Sequence, residues 1–406
     1  MKISSIIRTG FLIVFVLACL AIGVTILLNG WTAAWYALHV PTLSPPFADM
    51  RTVQGALVSA AQGFNPQLKN PGDPWGRVLN YPIIWFWIAK FFQLDIENNF
   101  LVFIGVYILA YLISCFMLLR KTSSLYLLVA MFSGASLLAV ERGNNDILAF
   151  VLVFAAISYA QGYWRGFFIL LAAVLKVYPA FLAVSLVKKP KILILLVLIL
   201  AVYFLFNIGE LQILQAGNTA LTDPAAVFAS YGFATNMQIF RQFFMPGQSD
   251  PTYTIIKVVF IILSLGLIAL ISRVKSLNPS SDEGYKTDLF IAGGTVFSCT
   301  YLITSNWDYR LIFLLLCIPL ILSIKGRFLR HAILIAVLVS SNANILCEFI
   351  GLQGMFLAAF CKYFVFIMVG ASLVQVLIGY LPLYSLTSIK GYFTQSFAGL
   401  PKKVNQ

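Results

Sequence analysis

The feature that most limits what this chain can fold into is a recurrence of continuous apolar runs, each roughly 17 to 25 residues long, from end to end. A helix rises about 1.5 Å per residue, so each such run is long enough to cross a bilayer. In lipid every backbone donor and acceptor must be satisfied within the chain, which excludes open sheets. An outer-membrane barrel would show short alternating segments, and these runs are unbroken. Of 406 residues only 10% are charged and 61% are hydrophobic, whereas soluble proteins carry about 25% charged residues. The expected fold is an all-α polytopic membrane protein, one integral membrane domain over 1–406.

Spanning helices are expected near 11–29, 99–119, 124–140, 146–162, 191–208, 253–273, 289–304, 309–324, 331–346 and 355–378. Basic residues favour the cytoplasmic side of short loops. Lys2 and Arg8 place the N-terminus inside, as do Arg120, Lys121, Arg165, Arg273, Lys275, Lys325, Arg327, Arg330, Lys402 and Lys403 for later segments and the C-terminus. The first run resembles a signal peptide with a cleavage site ending at Cys19, but it continues to Leu28. That exceeds a usual signal core, so a retained helix is expected.

The segment YWRGFFILLAAVLKVYPAFLAVSLVKKPK would strand Lys188, Lys189 and Lys191 outside if it crossed once. Lys176 and Pro179 interrupt it, and proline removes a backbone donor. A re-entrant or broken helix pair near 166–187 restores the charge bookkeeping. The hydrophilic segments then fall on the external face: the first loop, 30–98, the turn at 141–146, the second loop, 209–252, and the turn at 305–310. The piece PIIWFWIAKFFQL, 82–94, is too short to span and suits a juxtamembrane helix. No fixed-period repeat is present, which weighs against an inverted-repeat transporter.

The net charge of +13 sits mostly in clusters beside apolar runs, a pattern of topology signals and anionic-lipid contacts rather than nucleic-acid binding. Six cysteines lie singly without CxxC spacing, and two histidines, His39 and His331, form no metal-ligand pattern.

Candidate site residues cluster where polar residues interrupt the runs. In LLAVERGNNDILAF, Glu141, Arg142, Asn144, Asn145 and Asp146 break an apolar stretch. A charge at a helix centre costs roughly 2.5–3.5 kcal/mol, so these belong at an interface or a wet cavity. Two readings stand: a polar turn with Asn145 or Asp146 capping the next helix, or a site where Arg142 binds an anion and Asp146 with the asparagines orients a polyol. In the first loop, Asp49 suits either a helix cap or a carboxylate within hydrogen-bonding reach of an acceptor hydroxyl, with Arg51 two residues on. The same loop carries Asp73, Trp75, Arg77, Asn80 and Tyr81, which suits carbohydrate contact and ordinary loop packing equally. ATNMQIFRQFF presents Asn236, Gln238 and Arg241, and SNWDYRLIF presents Asn306, Trp307, Asp308, Tyr309 and Arg310. Arg241 and Arg310 are candidate phosphate ligands, because guanidinium grips phosphate with two parallel donors. Interfacial anchoring by Arg, Trp and Tyr is the alternative for both.

Together these elements resemble the GT-C glycosyltransferases, and most of all glycosyltransferase family 87, the polyprenol-phosphate-mannose-dependent mannosyltransferases. The resemblance is carried by Asp49 followed by a small-residue helix to Gly63, Asn65 and Pro66. It continues in Gly143, Asn144 and Asp146 with Lys176 and Pro179, and in Asn236, Gln238 and Arg241. The RGN and K-x-YP pair is also similar to the mannosyltransferase of glycosylphosphatidylinositol assembly. The first loop has no DxD pair, and Asp308 and Tyr309 stand where many relatives carry histidine.

The resemblance implies a GT-C-like bundle in the plasma or inner membrane. It implies inverting transfer of mannose or another hexose from a polyprenyl-phosphate donor to a glycolipid or glycan acceptor, on the external or periplasmic face. Asp49 would be the base. Arg142, Arg241, Arg310 and Lys176 would meet the donor phosphate. Arg51, Asn144, Asn145, Asp146, Asn236, Gln238, Trp307, Asp308 and Tyr81 would contact sugar or acceptor. No cofactor is called for, although a divalent metal stays open, and the partners are membrane lipids rather than nucleic acid. The rival expectations are a transporter or flippase for a lipid-linked or anionic glycan, and a non-catalytic membrane scaffold.

Overall fold

The computed structural model describes residues 2–210, 212, 229–245, 250–279, 284–303 and 306–380. Much of the expected second external loop, together with Lys402 and Lys403, lies outside the described residues. The described chain is helical apart from one two-stranded antiparallel ribbon, which pairs Ser230 with Trp307 and Tyr231 with Asn306.

Five described helices are long and apolar enough to cross a membrane: Ser5–Asn29, Glu97–Thr122, Leu125–Arg142, Pro251–Ile271 and Ala343–Gly379, the third of them wound as two pieces, Leu125–Met131 and Gly134–Arg142. The fourth-run and fifth-run expectations, 146–162 and 191–208, become the shorter apolar helices Asp146–Ser158 and Pro190–Phe206. The 309–324 run is not one helix. It forms a 3-10 helix, Asp308–Leu316, followed by the short Ile318–Ile321. Pro319 supplies no backbone donor there, and the tighter 3-10 winding ends at Leu316. Expected 331–346 and 355–378 appear as Arg327–Ser341 and Ala343–Tyr380. The latter has 38 residues and breaks at Ile350 and Gly351.

Burial separates two kinds of helix. Only 6% of the Ser5–Asn29 window and 11% of the Pro251–Ile271 window is buried by the rest of the chain, so their apolar side chains need an apolar solvent. Gly284–Ile303 is instead the central strut. Thirteen of its residues are buried, and it packs on Tyr178–Leu186, Asp308–Leu316 and Ala343–Tyr380. Gly293 lets the Phe313 backbone approach so closely that a Cβ would sit 2.4 Å from its carbonyl oxygen.

The interruption expected near 166–187 is present. Tyr163–Leu175 ends at Lys176, whose backbone is extended, and a 3-10 helix, Tyr178–Leu186, follows with Pro179 in its first turn. The short helix expected within 82–94 is Ile84–Phe91. It packs against Ala48–Ala61, and the fully buried Trp85 donates through Nε1 to the Leu175 carbonyl at 2.9 Å. That bond joins the first loop to the backbone immediately before Lys176.

Candidate functional site

Four segments far apart in sequence meet at one end of the bundle: the start of Ala48–Ala61, the turn after Gly134–Arg142, the break at Lys176, and the ribbon with the 3-10 helix from Asp308. The turn explains how. Gly143 closes the Gly134–Arg142 helix in the left-handed conformation at φ +55°, where a side chain is strained. A Cβ there would also press on Phe47 at 2.9 Å, so glycine lets the two segments touch. Tyr107 donates its hydroxyl to the Gly143 carbonyl from the Glu97–Thr122 helix.

The next helix is capped by neither residue expected to do so. Asn145 makes no side-chain cap bond, and Asp146 turns inward. Asn144 does that work, its Oδ1 accepting from the Asp146 backbone N–H at 2.8 Å. Its Nδ2 donates to Asp49 Oδ2. One asparagine therefore joins the first-loop acid to the buried one.

Asp146 is fully buried and receives three donors. Lys176 Nζ lies 2.7 Å from Oδ1, Tyr178 OH donates to Oδ1 at 2.7 Å, and Arg310 Nε donates to Oδ2 at 3.2 Å. Lys176 also donates to Asn145 Oδ1 and lies over the Tyr81 ring, 4.9 Å from its centroid. Arg310 donates to Asn306 Oδ1 and stacks 4.6 Å from the Tyr178 ring centroid. Two cations face one carboxylate, which leaves an excess positive charge in a nearly closed site. Beside it, the Asn145 side-chain amide N–H group has no partner although the residue is only 2% exposed. Buried donors are nearly always satisfied, which makes this one an exception within the cluster.

Across Asn144 the charge balance reverses. Asp49 Oδ1 lies 3.5 Å from Arg77 Nη1, while the same guanidinium grips Asp73 through Nη2 at 2.9 Å and Nε at 3.2 Å. Asp73 also accepts from Thr52 Oγ1 and from the backbone of Trp75 and Arg77, so it is saturated. Burial works against the Arg77 charge, but the hydrogen bond to Asp73 and the two carboxylates outweigh it and raise its pKa further. Asp49 is the carboxylate of this pair with capacity left, since its side chain stays 15% exposed.

The other expected site residues sit elsewhere or in other company. Arg51 is a bidentate partner of Glu97, at 2.6 and 2.7 Å, with Phe100 against its plane. Arg142 pairs with Glu141 at 3.1 Å and reaches the Pro41 carbonyl at 3.4 Å. Arg241 stacks 4.7 Å from the Tyr253 ring centroid, and Asn236 donates to Tyr301 OH at 2.8 Å. Gln238 lies on the same helix, Phe233–Phe244. Asp308 pairs with Lys362 at 2.7 Å, Lys362 also donates to the Ser230 carbonyl at 2.8 Å, and Trp307 stacks on Tyr309. Burial pushes the Asp308 carboxyl up to about 6 against the pull of the Lys362 ammonium.

One member of the cluster was not singled out by sequence reasoning: Tyr178. Tyr178 had a visible signal, lying two residues past Lys176 at a helix break, where side chains converge on the same side. Among the described residues no group of three or more His, Cys, Asp or Glu side chains is arranged to hold a metal ion.

No family model, no curated protein and no solved structure matches the chain.

Proposed function

We propose that this protein is a membrane glycosyltransferase that moves a hexose from a polyprenyl-phosphate donor to a hydroxyl acceptor on the non-cytoplasmic face of the membrane. The observation that carries this reading is the pairing of opposite charge balances across Asn144. A carboxylate with capacity to accept a proton stands beside a buried site with one surplus cation and an unpartnered amide donor.

That arrangement suits inverting displacement at an anomeric carbon. Asp49 takes the proton of the acceptor hydroxyl, and the oxygen forms the new bond to the anomeric carbon. The bond from that carbon to the phosphate oxygen breaks, and its electron pair leaves with the phosphate. Arg310, Lys176 and the Asn145 amide meet the charge that develops on the phosphate, in a site with little water to screen it. Arg142 and Arg241 hold other partners and take a lesser part than the sequence suggested. The polyprenyl chain lies between helices, open to the bilayer. Asp146 touches neither proton nor sugar and orients Lys176 and Arg310.

A flippase for a lipid-linked glycan is the rival. It needs polar groups continuing through the bundle, and the Asp146–Ser158 helix turns apolar at once, with Ile147, Phe150, Val153, Phe154 and Ile157 buried along it. The test is incubation of purified protein with a panel of radiolabelled polyprenyl-phosphate sugars. Label in lipid extracts supports transfer. Movement of the sugar lipid across liposomes with no transfer supports the flippase.

A further inference from the structure

A cleft of about 480 Å³ opens between Pro41, Ala229 and the first turns of the Ala343–Tyr380 helix. Its size lies within the range of about 300–1,000 Å³ usual for small-molecule sites. The helix is built to leave it open. Gly351 sits at φ +56° and ψ −132°, a conformation that only glycine adopts easily, and there the helix breaks. The turn after the break folds back so closely that a Cβ on Gly354 would lie 2.3 Å from the Leu346 carbonyl oxygen. The break presents Asn344, Cys347 and Glu348 to the cleft.

The wall opposite is the strap that leads to Asp49. Arg142 Nη2 donates to the Pro41 carbonyl at 3.4 Å, and the fully buried Glu141 accepts from Thr42 Oγ1 at 2.9 Å and from the Leu43 N–H at 3.0 Å. The segment that begins at Pro41 on the cleft wall leads in sequence to the proposed base, Asp49. Glu348 is the only charged side chain lining the cleft among the described residues. It is 50% exposed, and its one close partner is His39, 3.0 Å away. A carboxylate shared only with an imidazole still accepts hydrogen bonds from vicinal hydroxyls and disfavours phosphate and sulfate, whereas the Lys176 and Arg310 site does the opposite.

We infer that this cleft is the acceptor site, and that it takes a neutral, hydroxyl-rich glycan and rejects anionic ones. This rests on the transferase reading for the word acceptor, but the binding itself does not. Cys347 is half-buried and lies in the cleft, so its alkylation reports occupancy without any reference to activity.

The experiment is maleimide labelling of the full-length protein in detergent, read by mass spectrometry of the Cys347 and Cys299 peptides. It is run with a neutral mannotriose, with the same trisaccharide carrying a 6-phosphate, and without sugar. The neutral sugar slows labelling at Cys347 and leaves Cys299 unchanged, while the phosphorylated sugar protects weakly. Glu348→Gln weakens protection about tenfold in sugar concentration, the size of one lost hydrogen bond to a charged group. Glu348→Lys reverses the preference toward the phosphorylated sugar. Absence of protection by the neutral sugar, equal protection by both sugars, or protection indifferent to Glu348→Gln each overturns the inference. Protection with no sugar transfer from any donor keeps the cleft and discards the transferase reading.

Discussion

Two buried lysine–aspartate pairs lie in this bundle with the same separation, 2.7 Å, and they are built for different purposes. Lys362 and Asp308 balance one another, and Lys362 spends a further bond on the Ser230 carbonyl, tying the ribbon to the long last helix. Lys176 and Asp146 do not balance, because Arg310 joins them and the Asn145 amide stands by without a partner. The balanced pair carries no surplus charge, although its Asp308 Oδ1 also has no hydrogen-bond partner. An unbalanced one stores a positive charge that an anion relieves. The comparison teaches that burial of charge is not itself a mark of function, and that the surplus is what matters.

The comparison is sharpest at the lysines. Lys362→Met leaves Asp308 buried without its cation, and a broken buried pair costs about 3–5 kcal/mol. Thermal unfolding in detergent should show that loss, and Asp308→Asn combined with Lys362→Met should recover much of it. Lys176→Met behaves in the opposite way. Asp146 keeps Arg310 and Tyr178, so unfolding shifts little. Transfer should fall about 10²–10³-fold, as when one donor to a developing anion is removed, and Arg310→Ala should match it. If Lys176→Met unfolds the protein and Lys362→Met spares it, the distinction between the two pairs is lost.

Smaller effects refine it. Arg142→Ala removes a cation already neutralised by Glu141, so transfer by the folded protein should fall less than about tenfold, while the buried Glu141 loses its ion-pair partner and the melting temperature drops. A loss as large as that for Arg310→Ala would move the phosphate to Arg142. A separate effect is in pH. Asp308 holds its proton more tightly when folded, at about 6, than in an unfolded chain, at about 3.9. Its contribution therefore favours folding most below about pH 4 and is lost as pH rises through about 6. Asp308→Asn should remove that part of the slope from a series of melting curves.

The helical, membrane-adapted class was legible because hydropathy is local: an apolar run needs lipid wherever it falls in the chain. The break at Lys176 was equally legible, since Pro179 writes it into the backbone. What escaped was pairing. Arg51 and Arg142 read as site cations beside Asp49 and Asp146, and nothing in their neighbourhoods announces that Glu97 and the adjacent Glu141 occupy them. Lys362 lay inside an apolar run and raised no question until Asp308, 54 residues away, closed on it. The 309–324 run looked like a span because composition does not report 3-10 winding. The site's members were thus mostly visible, and the division of labour among them was not.

The account turns on Asp49, and the most direct measurement is single-turnover transfer from a radiolabelled polyprenyl-phosphate sugar by the wild type and by Asp49→Asn, with folding followed by melting temperature. The account predicts an unchanged melt and a loss of about 10²–10⁴-fold in transfer, the usual worth of a general base. Full transfer by a folded Asp49→Asn protein would contradict it.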